Sequence, residues 1–557
     1  MLKNHFKKIV QTKLFFIIFC FFTVVASAQY DYTWFYIRAN DTLVQPEFEK
    51  VNDELKYVGT DIALKSVLDR HRIYSFKKTY RKARKQFLKR TFFVMCDDES
   101  LFYDLLENAS HAFISGEIVP EEDKKIYEPN DYGLTSTIGE NLGLPANLDY
   151  MDYLGMPEAW YYTTGSPETI IGISDGGMDT TDLDFKGKTK IFHKSAYSDG
   201  HGVTIASIAA AQGDNAYGIP GVCYDCSIYA TRYGIYTNYQ QLIELSKAGA
   251  KVINCSFAVG VHDQKGQDSI NKIFNNGTVI VAAAGNQNWI KSEFGKLELY
   301  PASYDNVISV SCINYKYPFG TDNITLEPDK QMYYAENIKH HLARTMGFLD
   351  NDTLKSNYNY RVSVTLLNKK VDLLTPSAGL VKYSKFAKEG NLEYIWGSAS
   401  SPTAPAVTGA VGLMFSLYPC LPADEVETIL KFTASNIDYV PQNIMFVGNY
   451  GAGALHVGDA VEMVYQLYSK KQTAVIKNQN FSRWDFKLTS LSEAVEMQNQ
   501  KFTDSSTLKL TARRRIVLKQ NTTLKPGIDG NISLKIDTNL QKECDLQLRD
   551  PSIEDGN

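Results

Sequence analysis

Thr169-Ile170-Ile171-Gly172-Ile173-Ser174-Asp175-Gly176-Gly177 is an apolar run that ends in a carboxylate and two glycines. Its β-branched residues read as a strand, and Gly-Gly reads as the turn that stops it. The run shows no polar alternation, so both of its faces are buried, as in a parallel sheet covered by helices. Similar runs recur at 227–231, 252–256, 279–284 and 307–311, with helical patterns at 205–211 and 241–248 among them. Strands alternating with helices predict a three-layer α/β domain on a parallel sheet, spanning residues 145–468.

The flanks read differently. Residues 29–140 mix the two periods: strands at 32–38, 91–96 and 113–119, helices at 61–68 and 99–108, hence a small α+β domain. Glu128-Pro129-Asn130-Asp131 and the glycines at 133, 139 and 143 then predict an exposed linker. Residues 314–360, rich in Lys, Asn and Tyr without a clear period, read as a surface insertion. Residues 472–557 turn polar and alternate at Leu508/Leu510, Ile516/Leu518 and Ile532/Leu534. They predict a small all-β module, dispensable for chemistry that ends before it.

The chain has 557 residues, and 58 Lys and Arg against 63 Asp and Glu leave a formal charge of −5. That balance excludes nucleic acid as the expected partner. The basic run 77–90 is read as a solvated face beside acidic neighbours. Lys3, Lys7, Lys8 and Lys13 precede the apolar run 14–25 and Ala26-Ser27-Ala28, which predicts a signal peptide 1–28 cut before Gln29. The protein is then secreted or at the cell surface, with no transmembrane anchor after signal removal. Cys223-Tyr-Asp-Cys226 has no second pair at zinc spacing, so it reads as a local disulfide or two buried thiols.

Three segments carry chemistry. Asp175 ends a strand, His201-Gly202 opens a small-residue helix, and Ser401 precedes Pro405 and Gly409 at the start of another helix. A serine hydroxyl attacks only if its proton has somewhere to go, which a histidine supplies while a buried carboxylate fixes the imidazole. The order Asp, His, Ser argues against an α/β-hydrolase, whose triad runs Ser, Asp, His.

Ile171-Gly-Ile-Ser-Asp175, His201-Gly-Val-Thr-Ile-Ala, Val281-Ala-Ala-Ala-Gly285-Asn286 and Ser400-Ser401-Pro-Thr-Ala-Pro405-Ala-Val-Thr-Gly409 together resemble the ordered motifs of the subtilases. The resemblance covers about residues 150–468. It implies a subtilisin-like fold and a serine endopeptidase with Asp175, His201 and Ser401 as its triad. Asn286 would be the side-chain donor to the oxyanion. Ser256-Phe257-Ala258-Val259-Gly260 would form the substrate-binding strand. Residues 29–140 would be a propeptide acting as an intramolecular inhibitor, and protein or peptide chains the substrates. No cofactor is required. A structural calcium is allowed, with Asp214 and Asn215 in the loop 213–218 as candidate ligands.

The sequence departs from the family at Ala399-Ser400-Ser401 for Gly-Thr-Ser, at Val203 for Thr, and at Ala258-Val259 for Gly-Gly. Reading Gly397-Ser398-Ala399 as the nucleophile motif would place alanine at the nucleophile, but only Ser401 has the family's spacing to Pro405 and Gly409. The alternatives are a catalytically impaired binding or scaffold protein on the same fold, and a surface adhesin working through the C-terminal module.

Overall fold

A computed structural model describes residues 32–52, 54–78, 90–120, 124–136, 142–197, 200–286, 297–327, 332–350, 353–357, 365–381, 393–396 and 399–550. The expected signal peptide, most of the basic run 77–90, and Gly139 lie outside them. The chain divides into two compact units, residues 1–124 and 125–557.

In the first unit a six-stranded antiparallel sheet carries two helices, Ile62–Leu68 and Ser100–Asn108. Along the sheet the strands are Phe48–Val51, Glu54–Tyr57, Ile73–Lys78, Thr91–Cys96, Thr33–Ala39 and Phe113–Ile118. Asp61 starts the first helix because its carboxylate takes the Leu64 N–H at 3.0 Å, an otherwise unpaired donor. Phe35, Ile37, Val94, Leu101, Leu105 and Phe113 fill the space between sheet and helices.

The second unit is built on a seven-stranded parallel sheet. Its strands are β1 (Ile170–Asp175), β2 (Thr189–Ile191), β3 (Ser227–Arg232), β4 (Ala250–Cys255), β5 (Val279–Ala283), β6 (Val307–Cys312) and β7 (Leu373–Thr375). They lie in the order β7-β6-β5-β4-β1-β3-β2. Period two divides β5 between two cores: Val279, Val281 and Ala283 face one helical layer, Ile280 and Ala282 the other. The first layer contains α1 (His201–Ala210), α2 (Thr403–Leu417) and α3 (Val457–Tyr468); the second contains helices Gln240–Lys247 and Gln264–Asn275. Every residue of α2 is buried, which suits a helix apolar on all sides. Gly409 permits its approach to α1, since a Cβ there would sit 2.5 Å from Val222 Cβ and 2.8 Å from the Ala209 carbonyl.

Three regions differ from the sequence reading. The insertion contains a four-stranded antiparallel sheet of Ile324–Glu327, Met332–Ala335, Thr345–Asp350 and Thr353–Asn357, strands too short to display a period. Part of the expected linker is buried, Glu128, Asp131 and Tyr132 among its described residues: Tyr132 is 0% exposed, packs edge-on against Trp160, and donates to Asp152 at 2.7 Å. The unit boundary therefore falls near 124, ahead of the expected 140.

The C-terminal region is all-β but no appendage. Nine short strands form three parallel three-stranded sheets, each successive coil adding one strand to every sheet. Asn478, Asn499 and Asn521 turn the same corner of successive coils at φ 65°, 50° and 60°, a left-handed conformation that asparagine tolerates. Their amides stack, Asn521 donating to Asn499 at 3.0 Å and Asn499 to Asn478 at 3.4 Å. Phe481, Phe486, Leu488 and Phe502 belong to the same core as α2 and α3. A disulfide joins Cys420 to Cys544, and the Gln547 and Arg549 N–H groups donate to Leu417 and Tyr162 carbonyls at 2.8 and 2.7 Å. Cys223 and Cys226 form a second, local disulfide.

Candidate active site

β1 lies between β4 and β3, where the chain order of the strands reverses, and a crevice opens at the carboxyl ends of such strands. Asp175 is the last residue of β1, and Ser174 pairs with Cys255 at the end of β4. α1 starts with His201, and its first turn sits against the turn after β1: a Cβ on Gly202 would lie 2.6 Å from the Gly176 carbonyl. Glycine there lets His201 Nδ1 approach Asp175 Oδ1 to 2.6 Å. A carboxylate only accepts, so Nδ1 carries the proton and Nε2 is left as the base. Asp175 is 0% exposed, whereas the His201 side chain is 32% exposed and open to the crevice. Asp175 Oδ1 also accepts the Gly176 N–H at 2.6 Å and the Tyr233 hydroxyl at 2.9 Å. Three donors on one oxygen fix the carboxylate's orientation.

Ser401 sits in the turn that opens α2, at the positive end of a fifteen-residue helix. Its carbonyl accepts the Ser256 hydroxyl at 2.8 Å; Ser256 Oγ accepts from Asn254 Nδ2 at 2.9 Å; Asn254 Oδ1 accepts from Thr408 at 3.2 Å. This relay pins the start of α2 to the end of β4, beside Asp175.

Asn286 follows β5 and is tied to the same turn. Its carbonyl oxygen accepts the Ser400 N–H at 2.6 Å and the Ser400 hydroxyl at 2.8 Å. A backbone N–H can only donate, so the bond identifies Oδ1 and turns Nδ2, a donor, the other way. Ser400 Oγ further accepts the Gly285 N–H at 3.1 Å. Asp175 and His201 are thus in direct contact, and Ser401 and Asn286 are joined through Ser400.

The expected substrate strand 256–260 is not a strand, since β4 ends at Cys255 and only an isolated bridge at Val259 follows, and the segment is only partly available to a peptide. Val259 exchanges two backbone hydrogen bonds with Tyr300, at 2.8 and 2.9 Å, so its N–H and C=O are already used. Phe257 meets Tyr233 edge-on at 5.7 Å and Tyr236 at 5.2 Å. Sequence reasoning missed Tyr233, which carries no motif and reaches Asp175 across 58 positions.

A family model described as "Subtilase family" matches residues 166–453, just over half of the chain. The chain belongs to the subtilase family. It is 33% identical over 202 residues to the thermophilic serine proteinase of Bacillus sp. strain AK1, a match taking in 34% of this chain and 46% of that relative. It is 27% identical over 279 residues to subtilisin DY of Bacillus licheniformis, covering 48% and 84% of the two chains. It is 26% identical over 437 residues to a calcium-dependent protease of Trichormus variabilis, covering 71% and 60%. These relatives are proteases, and the parallel α/β sheet is the fold on which this subtilase holds its site.

Asp214 and Asn215, the candidate calcium ligands, lie in a hydrogen-bonded loop of this subtilase. Calcium takes six to eight oxygens. Asp214 spends one carboxylate oxygen on the Asn130 N–H at 3.0 Å, and its carbonyl accepts Asn130 Nδ2 at 3.3 Å. Asn215 Oδ1 accepts the Tyr217 N–H at 3.0 Å, while its Nδ2 donates to Asp184 at 2.8 Å. The Asp131 carboxylate accepts the N–H groups of Asp214 and Asn215 at 3.1 and 3.4 Å. These hydrogen bonds hold the loop, with the carboxylates of Asp131, Asp184 and Asp214 gathered around it. No helix among the described residues is long and apolar enough to cross a membrane.

Proposed function

We propose that this subtilase is an exported serine endopeptidase that hydrolyses peptide bonds through an acyl-enzyme. Ser401 attacks the scissile carbonyl while His201 Nε2 takes its proton, and Asp175 steadies the imidazolium that forms. Asn286 Nδ2 and the Ser401 N–H donate to the oxyanion, where charge develops only as the bond is attacked. His201 then returns the proton to the leaving amine, and water repeats the cycle on the ester. The 2.6 Å contact between His201 Nδ1 and buried Asp175 carries the reading, because it fixes the tautomer that general-base catalysis needs. A fluorophosphonate probe should label the purified protein and fail to label Ser401→Ala. Absence of label on the wild type would favour the impaired binding-protein reading. The assay includes a calcium arm, since a relative is named a calcium-dependent protease.

The zymogen reading rests on the α+β unit ahead of the peptidase. A cut near residue 140 would strip buried Tyr132 and Asp131 from the second unit. We therefore place the cut ahead of Tyr127, whose N–H donates to the Pro157 carbonyl at 2.9 Å. Intact masses of wild type and Ser401→Ala after secretion test it: only the wild type should lose the first unit. A wild-type product still beginning at Gln29 would refute it.

A further inference from the structure

We propose that Tyr233 is a positioning residue for the proton-transfer pair, its hydroxyl holding the Asp175 carboxylate in line with His201 and drawing off part of the charge the imidazole meets. The inference rests on the triad assignment above. Tyr233 follows β3, whose last residue, Arg232, pairs in register with Asp175. Its hydroxyl donates to Asp175 Oδ1 at 2.9 Å and lies 3.5 Å from His201 Nδ1. The same carboxylate oxygen therefore serves both the phenol and the imidazole. The hydroxyl is not what holds Tyr233 in place. The ring packs edge-on against Tyr197 and Phe257, at 5.8 and 5.7 Å, and the carbonyl accepts from Gln241 Nε2 at 2.5 Å.

Two consequences follow from one shared oxygen. A donor to the carboxylate competes with the imidazolium for its charge, so the hydroxyl makes His201 easier to deprotonate and leaves more free base at a given pH. It also restrains the carboxylate, which otherwise keeps only Gly176 and His201 on that oxygen. Phe257 connects this device to the expected substrate segment, since its ring touches Tyr233 and its neighbour Ser256 holds the Ser401 carbonyl. Around the pair, Tyr236 and Cys255 act electrostatically on or with Asp175, Tyr197 packs against Tyr233, and Arg232 pairs in register with Asp175. Burial pushes the Tyr236 phenol and the Cys255 thiol upward.

Tyr233→Phe removes the hydroxyl and keeps the ring. In a Ser401→Ala background, NMR of the His201 imidazole across pH should show its midpoint rising by about half a unit in Tyr233→Phe. In the active chain the acid limb of kcat/KM should move up equally, and kcat should fall roughly 3- to 10-fold at unchanged KM. Superimposable His201 titrations in the two chains would overturn the proposal. So would a fall in kcat without movement of the acid limb, which marks a merely structural role. The titration needs no working nucleophile, so failure of fluorophosphonate labelling would refute the protease reading and leave this test standing.

Discussion

Asn286 Oδ1 accepts both the N–H and the hydroxyl of Ser400, at 2.6 and 2.8 Å, so the residue before the proposed nucleophile aims the proposed oxyanion donor. The family's threonine at this position is replaced, yet the hydroxyl that performs the aiming is kept. Asn286→Ala should lower kcat by about 10² to 10³ with little change in KM, a range taken from loss of the same kind of donor in subtilisin itself. Steady-state kinetics on a peptide substrate check it, and an unchanged kcat would remove Asn286 from the site.

Gly409→Ala tests the packing of α2 on α1. The added methyl has Val222 Cβ and a backbone carbonyl within 3 Å, and neither is the flexible end of a side chain. We expect destabilisation of about 1–3 kcal/mol, the usual cost of overpacking a core. Urea unfolding of the variant measures it, with Ser401→Ala as background to prevent self-digestion.

Truncation after residue 470 should abolish folding of the peptidase unit. The cut removes Phe481, Phe486 and Phe502, which meet Phe432 of helix Ala423–Thr433 at 5.7, 4.9 and 5.9 Å between ring centres. It also leaves Glu425 buried without the Thr489 N–H and hydroxyl at 3.0 and 2.7 Å. A soluble truncated protein with native circular dichroism would show the coils to be separable after all.

Asp131 should make stability fall as pH rises. Burial pushes its carboxyl up to about 6, against the downward pull of the Asp214 and Asn215 N–H groups. Between about pH 4 and 6 the folded chain then holds a proton that the unfolded chain has released. The Asp131 contribution is greatest below about 4, declines through that window by about 1.4 kcal/mol per pH unit at its steepest, and levels off above about 6. Thermal midpoints of Ser401→Ala with and without Asp131→Asn measure it; between about pH 4 and 6 the midpoint should fall less steeply in the double variant than in Ser401→Ala, and parallel profiles would refute it.

What was legible in the sequence follows from where information is stored along the chain. β1, β4, β5 and β6 announce themselves because burial on both faces leaves uninterrupted apolar runs such as Val279–Ala283. Asp175, His201, Asn286 and Ser401 were singled out by the order and spacing of motifs that resemble those of the subtilases. Glu128-Pro129-Asn130-Asp131 misled because turn residues also serve as partners: Asn130 Oδ1 takes the Ala216 N–H at 2.9 Å, a need that exists only once the loop 214–216 is folded beside it. The C-terminal alternation gave strands but not their direction, since hairpins and coils share a period of two. The signal that separates them was the recurrence of asparagine at 478, 499 and 521. Tyr233 was illegible because its partner is set by the register of β3 on β1.

Those asparagine corners make the C-terminal region extensible in discrete steps. Successive corners are 21 and 22 residues apart, and each coil pairs only with the coil above and below it. An insertion of one whole turn would find its ladder partners and its amide neighbour ready, and would disturb a single junction. The length of this stack can therefore drift over generations in whole turns, while Asp175, His201 and Ser401 keep their places at the other end of the shared core.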